Sequence, residues 1–198
     1  MKSEKITVDR FYKENSKNLG LRLVAGDQGL KRVIREPTIN RPGLALTGFT
    51  KYFANNRIQV IGSAEVTYLK TLNTEEREKR YETIFTHRIP CIAYSRNLKP
   101  DSQFVRVAEE KNVPVFRTPL ITMKFINRAT LLLEDMFALQ GTEQGSMVDI
   151  LGMGVLIRGE SGIGKSECVL ALVERGYSLV ADDVTRVKLL DGHEVIGT

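Results

Sequence analysis

Gly159-Glu160-Ser161-Gly162-Ile163-Gly164-Lys165-Ser166 is a complete G-x-x-x-x-G-K-[ST] loop, and its setting decides how the second half of the chain is read. Val155-Leu156-Ile157 reads as a short buried strand running into the loop, and Glu167 to Arg175 as the helix leaving it. A glycine-rich turn between strand and helix aims successive backbone N–H groups at an anion, with the positive end of the helix behind them. In such a loop Lys165 reaches the β- and γ-phosphates of a nucleotide, and the Ser166 hydroxyl sits on a magnesium ion. Glu167 suits the first turn of the helix and needs no catalytic role.

Working outward, Met147 to Leu151 predicts a strand, and Gly152-Met153-Gly154 a turn into the loop strand. Beyond the loop helix, Gly176 supplies a left-handed cap, and Ser178-Leu179-Val180-Ala181 reads as a buried strand ending in Asp182-Asp183. In a parallel α/β unit the carboxyl ends of adjacent strands lie side by side and ligands bind there, so at least one of these aspartates is expected near the phosphates. Neighbouring carboxylates at a strand end point to opposite sides, leaving the other for solvent or a loop. The inward one can hold magnesium through water or accept a proton from an attacking hydroxyl. Thr185 to Leu190 and Glu194 to Ile196 flank Asp191-Gly192, a tight-hairpin signal.

The front half has a different texture. Arg57 to Ile61 predicts a strand, and Ser63 to Leu72 a helix capped by Ser63 with Val66 and Leu69 inward. Cys91 to Tyr94 is a second strand, Asp101 to Lys111 a capped amphipathic helix, and Val113 to Phe116 a third strand. This β-α-β-α-β run builds a small parallel sheet. Ile121 to Leu139 carries Phe125, Ile126, Ala129, Leu132 and Leu133 at helical spacing and reads as a core-facing connector helix. Gln140 to Ser146 is small and polar and breaks it. The expected division is 1–130, an α/β domain ending in the connector, and 131–198, the first part of a nucleotide-binding domain.

At 198 residues, with 42% hydrophobic and 27% charged residues, the composition is that of an ordinary globular protein. No apolar run approaches the ~20 residues needed to cross a bilayer. Met1 to Arg10 lacks the apolar core of a secretory signal. The cytoplasm is therefore the expected compartment. Cys91 and Cys168 stand apart from any Cys/His cluster, which argues against zinc or a disulfide framework and for buried, reduced thiols. His87 stands alone beside Arg88 and reads as a surface or loop histidine. The net charge of +5 is spread along the chain, and Glu75 to Arg80 mixes both signs like a solvated helix face. Nothing points to nucleic acid.

The run Gly152 to Glu167 together with Glu174 to Asp183 closely resembles the bacterial HPr kinase/phosphorylase family. Arg41-Pro42-Gly43-Leu44-Ala45-Leu46-Thr47-Gly48, Arg57 to Gly62 and Arg117-Thr118-Pro119-Leu120 extend the resemblance from about residue 6 onward. It implies an enzyme that phosphorylates a serine of HPr, the small phosphocarrier protein of the sugar phosphotransferase system, with ATP or pyrophosphate and Mg2+. It also implies the reverse phosphorolysis, in which inorganic phosphate attacks phosphoserine to give pyrophosphate. Carried over by motif, Gly159 to Ser166 bind the nucleotide, Lys165 stabilises transferring charge, and Ser166 ligates the metal. Asp183 matches the family's proton acceptor for phosphorylation and donor for phosphorolysis. Hexamers are implied as well.

Two departures from the pattern stand out. Where the family has His-Gly ahead of the loop, this chain has Gln144-Gly145; an amide can donate a hydrogen bond to phosphate but cannot carry a proton. The family's second magnesium ligand and phosphorolysis loop are expected beyond Thr198, as in a longer parent protein. The competing expectation is a nucleotide- or phosphate-sensing module without transferase activity.

Overall fold

Strands buried on both faces read as continuous apolar runs, because helices cover each side of a parallel sheet. Ile58, Val60 and Ile61 are at most 1% exposed, and they form the middle of such a sheet. The computed structural model describes residues 5–190 and 194–198. The chain divides into two units, Lys5–Met136 and Phe137–Thr198.

In the first unit the elements run β1 (Ile6–Thr7), α1 (Val8–Leu19), β2 (Arg22–Ala25), a 3-10 turn (Asp27–Lys31), β3 (Val33–Ile34), β4 (Ile39–Asn40), α2 (Gly43–Leu46), β5 (Ile58–Ile61), α3 (Ser63–Thr71), α4 (Thr74–Thr86), β6 (Ile92–Tyr94), α5 (Ser102–Glu110), β7 (Val115–Arg117) and α6 (Thr122–Phe137). The five-stranded sheet has the order β2-β7-β6-β5-β4. The pairs β4–β5, β5–β6 and β6–β7 are parallel, and β2 adds an antiparallel edge. On one face Phe104 is ringed by Tyr81, Phe85 and Tyr94 at centroid distances of 4.9 to 5.2 Å, tilted edge to face. Asp101 ties this cluster to the start of α5: one oxygen caps Phe104 N–H at 2.8 Å and the other accepts from Tyr81 Oη at 2.6 Å. Along α6 the residues Thr122, Phe125, Ala129 and Leu133 are buried, the expected i, i+3, i+4 stripe. His87 ends α4 and stacks edge-on against Phe53, as a structural loop histidine does.

The start of α3 differs from the serine cap expected at Ser63. Gly62 occupies the cap position, and Glu65 reaches back to its N–H at 2.9 Å. Glu65 is 5% exposed and also receives Arg41 Nε and Nη2, one on each oxygen, at 3.0 Å. Burial pushes this carboxyl up. The Arg41 hydrogen bonds, the backbone N–H groups and the Arg41 charge outweigh it and hold the group below the usual glutamate range.

The second unit contains β8 (Leu139–Gln144), β9 (Ser146–Ile150), β10 (Met153–Ile157), α7 (Lys165–Glu174), β11 (Ser178–Ala181), β12 (Val184–Leu190) and β13 (Glu194–Gly197). Gln140 to Gln144, read from sequence as a break, is instead strand: it pairs antiparallel with β12 over its whole length. A polar, glycine-containing segment becomes a strand here because a distant partner supplies the ladder. The loop strand β10 and the strand after the loop helix, β11, are not neighbours as expected; β9 lies between them, antiparallel to both. The strand β11 is not buried, with Leu179 46% and Val180 42% exposed, since it forms an edge of its three-stranded sheet. Cys168, expected to be buried, is exposed on α7, whereas Cys91 is buried and its thiol is pushed up by desolvation. β12 and β13 pair antiparallel with Leu190 opposite Glu194; the expected Asp191-Gly192 turn lies outside the described residues.

Glu65→Gln should lower stability of the first unit at neutral pH by about 1–3 kcal/mol, the scale of hydrogen bonds to a charged group. Because the folded group titrates below its unfolded value, its contribution is complete above the ordinary glutamate range and fades as pH falls through the folded value. Thermal melts of parent and variant should therefore converge in acid. A difference that widens as pH falls would contradict the assignment.

Candidate functional site

The loop that follows β10 is kept open by its backbone. Gly162 and Gly164 have φ of 82° and 97°, and no side chain caps the start of α7. Its first-turn N–H groups are thereby left for an anion. Lys165 folds back so that Nζ donates to the Gly159 carbonyl at 3.1 Å, spanning the loop.

On the other side, the chain leaves β11 through a sharp bend. Asp183 has φ of 58°, and Val184 N–H donates to the Asp182 carbonyl at 2.6 Å, the i to i+2 bond of a rare positive-φ γ-turn. Asp182 does not face the loop: its Oδ1 accepts from Ser146 Oγ at 2.7 Å and from Asp183 N–H at 3.1 Å. Among the described residues the Asp183 carboxylate has no hydrogen-bond or ion-pair partner.

Gly145 joins the two sides. Its N–H donates to the Asp183 carbonyl at 2.8 Å, and its carbonyl accepts from the fully buried Thr185 Oγ1 at 2.9 Å. Its φ is 142°, and a Cβ there would lie 2.6 Å from the carbonyl oxygen of Ile157, the last residue before Arg158 and the loop. Only glycine lets the three backbones pass this closely. Arg158 reinforces the junction, with Nε donating to the Gln144 carbonyl at 3.2 Å and its guanidinium paired with Glu143.

The outcome is a pocket of about 290 Å3 lined by Gln144, Gly145, Gly159, Lys165, Asp183 and Val184. The residues singled out from sequence thus separate into two groups. Gln144, Gly159, Lys165 and Asp183 share the pocket wall, whereas Glu160, Ser161, Gly162, Ile163, Gly164 and Ser166 belong to the loop and helix start without lining it. Ser146, Arg158 and Thr185 also hold the site together, although neither the motif nor the resemblance gives them a role; the signal available was their position beside Gln144, the loop and Asp183. An ammonium and a carboxylate across one cavity can hold a phosphate and take a proton from a hydroxyl beside it. Among the described residues no three His, Cys, Asp or Glu side chains gather to hold a metal on their own. The Ser166 hydroxyl at the start of α7 and the Asp183 carboxyl group are oxygen donors of the kind a small hard cation takes, with phosphates and water supplying most of its ligands.

The fold, a small α/β unit followed by a glycine-loop unit, defines the class to which known proteins can be compared. The family model for the HPr Serine kinase N terminus matches residues 6–133, and that for the HPr Serine kinase C-terminal domain matches residues 135–198. The chain belongs to the HPr serine kinase family. A protein named HPr kinase/phosphorylase from Chloroherpeton thalassium is 45% identical over 186 residues, 93% of this chain and 55% of its own length. One of the same name from Leptospira biflexa is 39% identical over 193 residues, 98% of this chain and 60% of its own. The chain spans little more than half the length of these relatives. Among solved structures, the CBS and DRTGG domains of the regulatory region of Clostridium perfringens pyrophosphatase align with a TM-score of 0.44 and 10% identity over 67% of this chain and 51% of that one, a likeness too weak to bear on function.

Gly145→Ala should destabilise the second unit by about 1–3 kcal/mol, the usual cost of forcing a side chain into such a conformation, and should open the pocket. Urea unfolding together with nucleotide binding checks this. An alanine variant as stable and as competent as the parent would contradict the close passage.

Proposed function

We propose that the protein transfers a phosphoryl group from ATP or pyrophosphate to a serine hydroxyl of the phosphocarrier HPr, and reverses the transfer by phosphorolysis. The single observation that supports this most is the pocket whose lining includes Gly159 and Lys165 of the loop together with Asp183. The family and the names of its relatives support HPr as the substrate.

In the forward direction the loop N–H groups and Lys165 hold the polyphosphate and stabilise charge as it shifts onto the leaving oxygens. Asp183 accepts the proton of the seryl hydroxyl as its oxygen bonds to phosphorus and the bridging P–O bond of the donor breaks. In reverse, inorganic phosphate attacks phosphoserine, the P–O bond to serine breaks, and the departing oxygen takes the proton back from Asp183. Pyrophosphate is the other product. Mg2+ bound through Ser166 and the phosphates would neutralise part of their charge. Gln144 offers amide donors to a phosphate oxygen but no titrating proton, so the two directions rely on Asp183 alone for proton transfer. Among the described residues no helix is long and apolar enough to cross a membrane. A cytoplasmic hexamer acting on HPr, with neither membrane nor nucleic acid as partner, completes the proposal.

Incubation of the full-length protein with HPr, Mg2+ and labelled ATP or pyrophosphate should yield phosphoserine, and Asp183→Asn should lower the rate by roughly 10²- to 10⁴-fold. Nucleotide binding without transfer from either donor, or an asparagine variant at full rate, would overturn the proposal. Gln144→His should change the ratio of phosphorolysis to phosphorylation between about pH 6 and 8, where imidazole titrates. Equal ratios across that range would show the position to be a bystander.

A further inference from the structure

Asp183 lines the pocket and can act as a proton acceptor only where its carboxylate is presented to the substrate, yet its backbone is in a conformation that residues other than glycine rarely adopt. Something must hold it there. The carbonyl of Asp183 is fixed by Gly145 N–H, but its own N–H is satisfied by a side chain, Asp182 Oδ1 at 3.1 Å. That same oxygen is gripped by the Ser146 hydroxyl at 2.7 Å. Ser146 is 3% exposed and stands at the first position of β9, directly opposite Ile157 at the end of the loop strand. A buried hydroxyl demands a partner, and here its partner is the residue adjacent to the proposed base. The hydroxyl therefore connects the root of the glycine loop to the turn that carries Asp183.

We infer that Ser146, acting through the Asp182 carboxylate, sets the orientation in which Asp183 meets the hydroxyl of the substrate. Both are positioning residues: neither lines the pocket. Asp182 works by the placement of one acceptor oxygen that takes two donors, rather than by exchanging protons itself. The inference rests on the reading of Asp183 as the proton acceptor. It goes further in assigning the paired aspartates different tasks and in giving a buried serine a share in the rate.

The test uses the full-length protein, HPr and ATP with Mg2+, measuring kcat and the KM for nucleotide separately. Ser146→Ala and Asp182→Ala should each lower kcat about 10- to 100-fold, the scale of a misplaced reacting group, while the KM for nucleotide stays within about twofold. Asp182→Asn keeps the acceptor oxygen and loses the charge, so it should recover most of the kcat lost in Asp182→Ala. The double variant Ser146→Ala/Asp182→Ala should be no slower than Asp182→Ala, because the two side chains act as one unit. Asp182 is exposed, so its variants leave the core untouched and keep the test valid even if Ser146→Ala folds poorly. Losses that multiply in the double variant, or an asparagine variant as slow as the alanine one, would overturn the positioning role. Full kcat in Asp182→Ala would do the same. An inactive wild type, or full activity in Asp183→Asn, would instead remove the reading of Asp183, and the inference with it.

Discussion

Three stretches of backbone pass one another at Gly145 with no room for a side chain, and the second unit is organised around that passage. The Ile157 carbonyl would lie 2.6 Å from a Cβ at this position, while the N–H and carbonyl of Gly145 are claimed by Asp183 and Thr185. The root of the loop, the Gln144 strand and the aspartate turn are therefore fixed relative to one another by main-chain geometry. Side chains at 144, 165 and 183 then need only short reaches to share a cavity. Rigid support of this kind is what proton transfer at hydrogen-bond distance requires.

The antiparallel strand β9 gives the site its width. Because it separates β10 from β11, the loop and the aspartate turn stand at the same end of the sheet but one strand apart. Lys165 and Asp183 thereby come to line one pocket from two different strand ends. The same arrangement frees Asp182 to turn away and bond with Ser146 at the start of β9. In the first unit the corresponding strand ends are filled internally. There Arg41, Glu65, Ser95 and Thr122 bond with one another and with the backbone around Gly62.

Much of this was legible in the sequence because the signals are local. Strand–loop–helix at 153–174 follows from glycine spacing, and the parallel run from Ile58 to Arg117 follows from apolar segments alternating with capped helices. The parts that escaped depend on distant partners. Leu139–Gln144 carries no strand propensity and becomes a strand only through β12, and the insertion of β9 between β10 and β11 leaves no mark on spacing. The cap of α3 falls on Gly62 instead of Ser63 because Glu65, three residues on, reaches back to the Gly62 N–H. At the site, motif and resemblance pointed to Gln144, Lys165 and Asp183. The positive φ of Asp183, and the serine that holds its neighbour, could not be read from residue types alone.

A crystal structure of the full-length protein with Mg2+ and a non-hydrolysable ATP analogue tests the central claim most directly. The β- and γ-phosphates should rest on the N–H groups of Gly162 to Ser166 with Lys165 Nζ moved from the Gly159 carbonyl onto them. The Asp183 carboxylate should face the γ-phosphate across a gap that admits one hydroxyl at about 3 Å from each. Phosphates bound away from the loop, or an Asp183 carboxylate turned out of that gap while the loop is filled, would contradict it.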